Sequence, residues 1–458
     1  MKTAALQGLA VVRAIRSGEI SAVKALQMAV DRIEATDDQV NAFTGHSFAR
    51  ERTEAAAVDA KRARGETLPL LAGLPYAVKN LFDIAGEVTL AGSTINRSNS
   101  PAREDAVLVQ RLQAAGAVLV GSLNMDEYAY GFTTKNTHYG PCRNPHDRTR
   151  IAGGSSGGSG AAVAAGQVPL ALGSDTNGSI RLPASLCGVW GLKPTFGRLS
   201  RRGTYPFVHS LEHLGPLADS VETLALSYDA MQGADALDLG CHALHVQPVS
   251  SVLGTGVLGG YFNDHATPAA RAAVASAAAI LGAGDSVERP DAALARAAAF
   301  IVGASEGGAL HLPDLRTRVS EFEPLSVDRF ISGALQPGAW YVQAQRLRRI
   351  YRSKVNALLR NWDLLLAPAT PVSAPEIGTE WLDINGTQMP CRPTVGLLTQ
   401  PISFAGCPVA VAPIWPDGTG GMPIGVQLIA APWREDLCLR AAAVLQQAGV
   451  AHLRKAPL

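Results

Sequence analysis

The stretch from Ile151 to Pro194, IAGGSSGGSGAAVAAGQVPLALGSDTNGSIRLPASLCGVWGLKP, constrains this chain more than any other. It carries two serine clusters set in glycine, one around Ser155 and one around Ser179. Glycine surrounds a serine in this way where backbone N–H groups must close around a reacting carbonyl, because a side chain would block the approach and positive φ must be allowed. The pattern points to acyl transfer. Gly/Ser-rich tracts are ordinarily linkers, but the second cluster, DTNGSIRLPA, lies between the apolar runs VPLALGS and LCGVWGL. A linker is not bracketed by buried strands.

Composition fits a large enzyme. At about 150 residues per domain, length alone suggests three domains, yet the apolar residues, 47% of the 458, are spread evenly. One α/β core, residues 1–458 as a single domain, is the expectation. The net charge of +1 leaves no basic footprint for nucleic acid. The short basic clusters RLSRRG from Arg198 and RLRRIYRSK from Arg346 read as solvated surface. Arg13, Arg16 and Glu19 interrupt the N-terminal apolar run, and no window reaches ~18 uncharged apolar residues, so a cytoplasmic protein is expected. The six cysteines, at 142, 187, 241, 391, 407 and 438, contain no CxxC pair, and the ten histidines have no HExxH spacing. Reduced, mostly buried thiols and no metal follow as expectations.

Residues 1–64 read as helical: apolar residues recur at three- and four-residue spacing, Gly18 breaks the pattern, and Ser21 can cap the next helix. From LAGLPYAVKNLFDIAG onward, short apolar runs such as LPYAV and AVLVGSLN alternate with helical segments such as DAVLVQRLQAAG. This is α/β texture. Residues 245–345 read as Ala-rich helices that cover the sheet and shape a pocket. Near the C-terminus, WDLLLAPATP, FAGCPVAVAPIW and MPIGVQLIAA read as three buried strands extending one sheet.

GGSSG, residues 153–157, matches the GxSxG nucleophile elbow, but an elbow needs a strand running into it, and HDRTRIA reads as a polar, loop-like approach. The later histidines sit in no triad context, and no GK[ST] closes the glycine run as a phosphate loop requires. A serine without histidine needs another base, and a desolvated lysine is the usual substitute, since burial depresses its pKa. Lys79 ends the apolar run LPYAV, which would place it at a strand end facing a cleft. Taken alone, a lysine there is ordinarily a snorkelling surface residue. The combination with two glycine-bound serines gives it meaning.

Together these residues resemble the amidase signature family. The segments that carry the resemblance are GLPYAVKNLFDIAG, NMDEYAYGFT, YGPCRNPHD, GGSSGGSGAAVAAG, GSDTNGSIRLPASLCGVWGLKPTFGRLSRRG, SLEHLGPLA, GCPVAVAP and MPIGVQLIA. The resemblance spans nearly the whole chain and implies an α/β/α sandwich around one mixed sheet of about ten strands. It also implies Ser179 as nucleophile, Ser155 as a bridging serine after a cis peptide bond, and Lys79 as the neutral base. The backbone N–H groups of Thr176, Asn177, Gly178 and Ser179 would form the oxyanion hole. Asp175 and Arg181 flank this loop and read as a structural ion pair. Most members carry glycine where this chain has Asn177, a residue that tolerates the left-handed conformation next best after glycine.

Within the family, FTTKNTHYGPCRNPHD, LGSDTNGSIR, GRLSRRGTYPFVHSLEHLGPLADS, FEPLSVDRFISG and APWREDLCLRAA resemble members acting on small ureido acids, biuret or its carboxylated form. That implies C–N hydrolysis with release of ammonia, no cofactor, and a small helical partner similar to the C subunit of glutamyl-tRNA amidotransferase. The alternatives are another small-amide amidase or an A-type glutaminase subunit of that amidotransferase. Such a subunit carries a segment like SSNLARFDGVRYG, where this chain reads ASEGGALHLPDLRTR. A non-catalytic relative is disfavoured by the intact Lys79, Ser155 and Ser179. Arg329 in VDRFISG is the candidate cation for a substrate carboxylate, with a surface arginine as its other reading.

Overall fold

The computed structural model describes residues 8–46, 48–244, 254–289 and 291–458. Its strands, in chain order, are β1 (Phe43–His46), β2 (Pro75–Lys79), β3 (Val118–Leu123), β4 (Arg143–Asn144) and β5 (Asp147–Ile151). There follow β6 (Leu170–Asp175), β7 (Trp190–Lys193), β8 (His213–Ala218), β9 (Thr255–Leu258) and β10 (Asp285–Val287). The last five are β11 (Leu364–Pro368), β12 (Trp381–Ile384), β13 (Thr387–Pro390), β14 (Val409–Ile414) and β15 (Ile424–Ile429). Eleven of them form one sheet in the order β1-β3-β2-β6-β8-β7-β14-β15-β11-β9-β10, and β4-β5 and β12-β13 are separate hairpins.

The sheet is mixed. β2 runs parallel to β3 and β6, whereas β8 is antiparallel to β6 and β7, and β14 and β15 are antiparallel to each other. Every residue of β2, β6, β7, β8, β11, β14 and β15 is buried, which is why these strands read as near-continuous apolar runs. Alternate residues enter different cores: Tyr76, Val78, Leu170 and Leu172 pack on one face, Ala77 and Ala171 on the other. The period of two in a strand thus builds a layer on each side. The three C-terminal runs are β11, β14 and β15, as their Pro/Gly boundaries predict.

Four sequence expectations need correction. Residues 1–64 are not wholly helical: the helices Gly8–Ser17, Ala22–Val40 and Phe48–Ala63 are interrupted by β1, which pairs antiparallel with β3. Asn41, in the left-handed conformation (φ 56°), ends the second helix and turns the chain to the sheet edge. Ser21 does cap that helix, accepting from Lys24 N. The approach to Ser155 is not a loop either, because HDRTRIA contains β5; the strand belongs to a two-stranded ribbon outside the main sheet, and so is no elbow strand.

The third correction concerns residues 245–345, of which 245–253 and 290 lie outside the described residues. Besides helices, this region supplies β9, which pairs with β11, and the edge strand β10 beside it. The helix Ala292–Leu310 is long and apolar enough to cross a membrane by length and composition. Here it packs against the helices Val327–Ala334, Gly338–Leu358 and Gln400–Ala405, and its Arg296 donates to Gln400 Oε1 at 3.0 Å.

The fourth correction is that RLSRRG is not free surface. Arg198 is buried against Tyr228 Oη at 2.7 Å, while Arg201 and Arg202 pair with Asp238 and Asp235. RLRRIYRSK does lie on an exposed helix face, except for Arg348 and Tyr351, which are buried. All six cysteines are buried and unpaired.

Candidate active site

Lys79 is the last residue of β2 and has no solvent exposure. Its Nζ lies 2.7 Å from Ser155 Oγ and 2.9 Å from Ser174 Oγ. Burial lowers the Lys79 pKa to about 7, against the opposing pull of Glu212, Asp126 and Asp175. Ser174 sits on β6 beside β2, with Asp175 ending the strand. Sequence reasoning missed Ser174. Its alternation with Leu172 on β6, a strand predicted to be buried, was the signal that it shares a face with a core residue.

The peptide bond between Gly154 and Ser155 is cis. A Cβ on Gly154 would stand 2.1 Å from Asp126 Oδ2, so only glycine fits there. Ser156 N donates to Ser179 O at 3.3 Å, which joins the two serine loops, and Ser155 O accepts from Asp126 N at 3.3 Å. The helix Gly157–Ala164 then leaves the site, all of its residues small apart from Val163 and all of them buried.

Asp175 organises the second loop. Its carboxylate accepts from Gly178 N at 2.7 Å, from Ile180 N at 3.2 Å, and from Arg181 Nε and Nη2 at 2.9 Å each. Both side chains are fully buried, and Arg181 also donates to Thr399 O and Gln427 Oε1. Burial pulls the Asp175 pKa up, but the Arg181 charge and its hydrogen bonds, helped by Lys193 and His213, hold it well below the usual carboxylate range. The expected ion pair is therefore present. Of the four N–H groups expected to form the oxyanion hole, that of Gly178 donates to Asp175 in this arrangement. The glycine-like conformation also belongs to Gly178, at φ 138°, and not to Asn177. A Cβ at Gly178 would meet Thr399 Oγ1 at 2.3 Å.

Several buried ionisable groups around Lys79 and Asp175 were not singled out from sequence. Asp126 accepts from Thr134 N at 2.9 Å and Thr133 N at 3.2 Å, and burial raises its pKa. Glu212 accepts from Phe207 N at 3.3 Å, and burial raises it to about 7. His213 Nδ1 lies 3.0 Å from Asp175 O, and burial keeps the ring well below its ordinary pKa. Lys193, also fully buried, donates to Cys407 O and Pro194 O, and burial lowers it to about 7. No sequence period distinguishes these residues, because different elements bring them together.

Ser179 lies on the wall of a narrow cavity that Asn177, Tyr130, Phe207, Phe300 and Arg329 also line. Arg329, on the helix Val327–Ala334, places its guanidinium 5.5 Å from the centre of the Tyr130 ring. The structure thus brings Arg329 to the same cavity as Ser179. Among the described residues, no group of three His, Cys, Asp or Glu side chains is arranged to hold a metal.

The chain matches the family described as Amidase over residues 24–439. It is 70% identical over 451 residues to AtzE, a 1-carboxybiuret hydrolase subunit of Pseudomonas sp. strain ADP, covering 97% of this chain and 99% of that protein. It is 37% identical over 474 residues to the A-type subunit of glutamyl-tRNA(Gln) amidotransferase of Moorella thermoacetica, covering 96% of each. A solved structure described as a vestigial protein complex bearing on the origins of an s-triazine catabolic enzyme superposes with a TM-score of 0.97 at 68% identity. It covers 98% of this chain and 100% of that one.

Proposed function

The chain belongs to the amidase signature family of hydrolases, and from that premise we propose that it cleaves the terminal C–N amide bond of a small ureido acid, 1-carboxybiuret or biuret, and releases ammonia. The observation that carries the mechanism is the buried Lys79 amine, 2.7 Å from Ser155 Oγ, with a pKa lowered to about 7. The neutral amine takes the Ser155 proton while Ser155 takes that of Ser179, and Ser179 Oγ bonds to the carbonyl carbon. The backbone N–H groups of Thr176, Asn177 and Ser179 face the developing oxyanion; removing one such donor in comparable sites costs roughly 10²–10³ in rate. As the C–N bond breaks, the proton returns from Lys79 through Ser155 to the nitrogen, which leaves as ammonia. Water then repeats the relay and hydrolyses the Ser179 ester.

Arg329 is the group that would pair with a substrate carboxylate, because charge-assisted hydrogen bonds to a planar guanidinium orient a carboxylate as well as bind it. The narrow cavity and the 70% identical relative favour a small ureido acid over glutamine. Ammonia release from 1-carboxybiuret, biuret and glutamine tests this. At least ~10²-fold preference for 1-carboxybiuret over glutamine is expected, the scale seen when a buried polar partner is missing. Equal turnover of glutamine overturns the substrate reading.

We also propose a small helical partner protein. The 70% identical relative is itself named as one subunit of its hydrolase, and this chain exposes Leu335, Trp340, Val342 and Ile350 within a short span. A fully active, monodisperse chain purified alone would contradict this.

A further inference from the structure

Asn177 stands between Asp175, whose carboxylate is tied to Arg181, and Ser179. Its backbone carbonyl accepts from Thr399 Oγ1 at 2.7 Å, which pins the loop from outside. The side chain is nine-tenths buried and lines the narrow cavity with Ser179 and Arg329. Its Oδ1 is buried and meets no donor among the described residues. On the far side, Gly303 leaves the carboxamide room, since a Cβ there would stand 3.8 Å from Asn177 Nδ2. A buried carbonyl oxygen without a donor costs stability unless something supplies one. Here the carboxamide shares the cavity with the serine that would attack the scissile carbonyl.

We propose that Asn177 Oδ1 accepts a hydrogen bond from the ureido N–H adjacent to the scissile carbonyl, so that Asn177 distinguishes ureido substrates from amides bearing a methylene at that position. The inference rests on the proposed reaction and deepens it. Ureido compounds place an N–H beside the carbonyl under attack, and a methylene analogue of the same shape leaves Oδ1 buried without a donor. Arg329 and Asn177 then read two different features of one small molecule, the carboxylate and the ureido N–H.

Biuret and malonamide form an isosteric pair, differing only in N–H against CH2 between the two carbonyls. Each is measured as a competitor of 1-carboxybiuret turnover in the wild type and in the Asn177→Ala and Asn177→Asp variants. The ratio of the two inhibition constants is taken within one preparation, so the fraction of active protein cancels. The wild type should favour biuret by at least about tenfold, the scale of one buried hydrogen bond. Asn177→Ala should bring the ratio to within about threefold of one. Asn177→Asp keeps the acceptor and should retain the preference while weakening 1-carboxybiuret through charge repulsion. A wild-type ratio near one, an unchanged ratio in Asn177→Ala, or a ratio lost in Asn177→Asp overturns the inference alone. Absence of turnover of both 1-carboxybiuret and biuret by the wild type overturns the proposed reaction, and the inference with it.

Discussion

Lys79 Nζ lies 2.7 Å from Ser155 Oγ, although the two are 76 positions apart in the chain, and neither residue has any solvent exposure. The two residues arrive from different elements, a strand end and the turn before a helix, so a single substitution tests the arrangement. Ser179→Ala should abolish turnover, while Ser155→Ala and Lys79→Ala should each lower kcat by roughly 10³-fold or more. The Ser155→Ala/Lys79→Ala double variant should be no slower than the slower single one, because the residues act as a unit. Ammonia release and circular dichroism check this. A folded Ser179→Ala variant with near wild-type activity sinks the assignment.

The pH profile should report Lys79. Burial, opposed by Glu212, Asp126 and Asp175, places its pKa at about 7, and only the neutral amine accepts a proton. kcat/KM should therefore rise about tenfold per pH unit below 7 and level off above it. Removing the Glu212 carboxylate removes a group that holds the lysine charged, so Glu212→Gln should move the inflection to lower pH. A profile flat between pH 5.5 and 8.5 contradicts the lysine base.

The same group leaves a mark on stability. Lys79 has a folded pKa of about 7 and an unfolded value of 10.5, so between these values the unfolded chain holds a proton that the folded chain does not. Unfolding then takes up a proton, and the Lys79 contribution to stability increases with pH across that window. Lys79→Met lacks this slope. Urea denaturation should show the wild type gaining about 2 kcal/mol relative to Lys79→Met between pH 7.5 and 9.5. A constant difference contradicts a neutral buried lysine.

Arg329→Ala should raise KM for 1-carboxybiuret by about 10–100-fold, the value of one charge-assisted hydrogen bond. The effect on uncharged biuret should be far smaller. Arg329→Lys should restore binding only in part, because the ammonium lacks the planar fork that sits near the Tyr130 ring. Equal losses on both substrates would remove Arg329 from carboxylate recognition.

Asp175→Ala should destabilise the protein by about 3–5 kcal/mol, since it leaves the Arg181 charge buried without its carboxylate. Activity should fall with it, because Gly178 N and Ile180 N lose the acceptor that shapes the loop before and after Ser179. Chemical denaturation measures the first effect and turnover per folded molecule the second. A stable, active variant would show that the ion pair does not hold this loop.

Local pattern was enough for the serine loops, for Lys79 and for most of the sheet. Glycine around a serine, an apolar run ending in lysine, and buried strands with Pro/Gly boundaries are each properties of a few neighbouring residues, and those readings match the positions of β2, β6, β11, β14 and β15. The short strands β1, β9 and β10, at or next to the sheet edges, carry no such signal. They are only three or four residues long, and pairing with a neighbour, not their own pattern, makes them strands. Ser174, Asp126, Glu212 and Lys193 were equally hidden, because what matters about them is burial beside groups far away in the chain. The Asn177 reading shows the same division. Its type and place next to Ser179 were visible, but it was the docking of Thr399 on its carbonyl and the commitment of Gly178 N to Asp175 that set the loop and left Oδ1 without a donor. Hydrogen bonds of that kind depend on where distant segments meet, and only the packed chain brings them together.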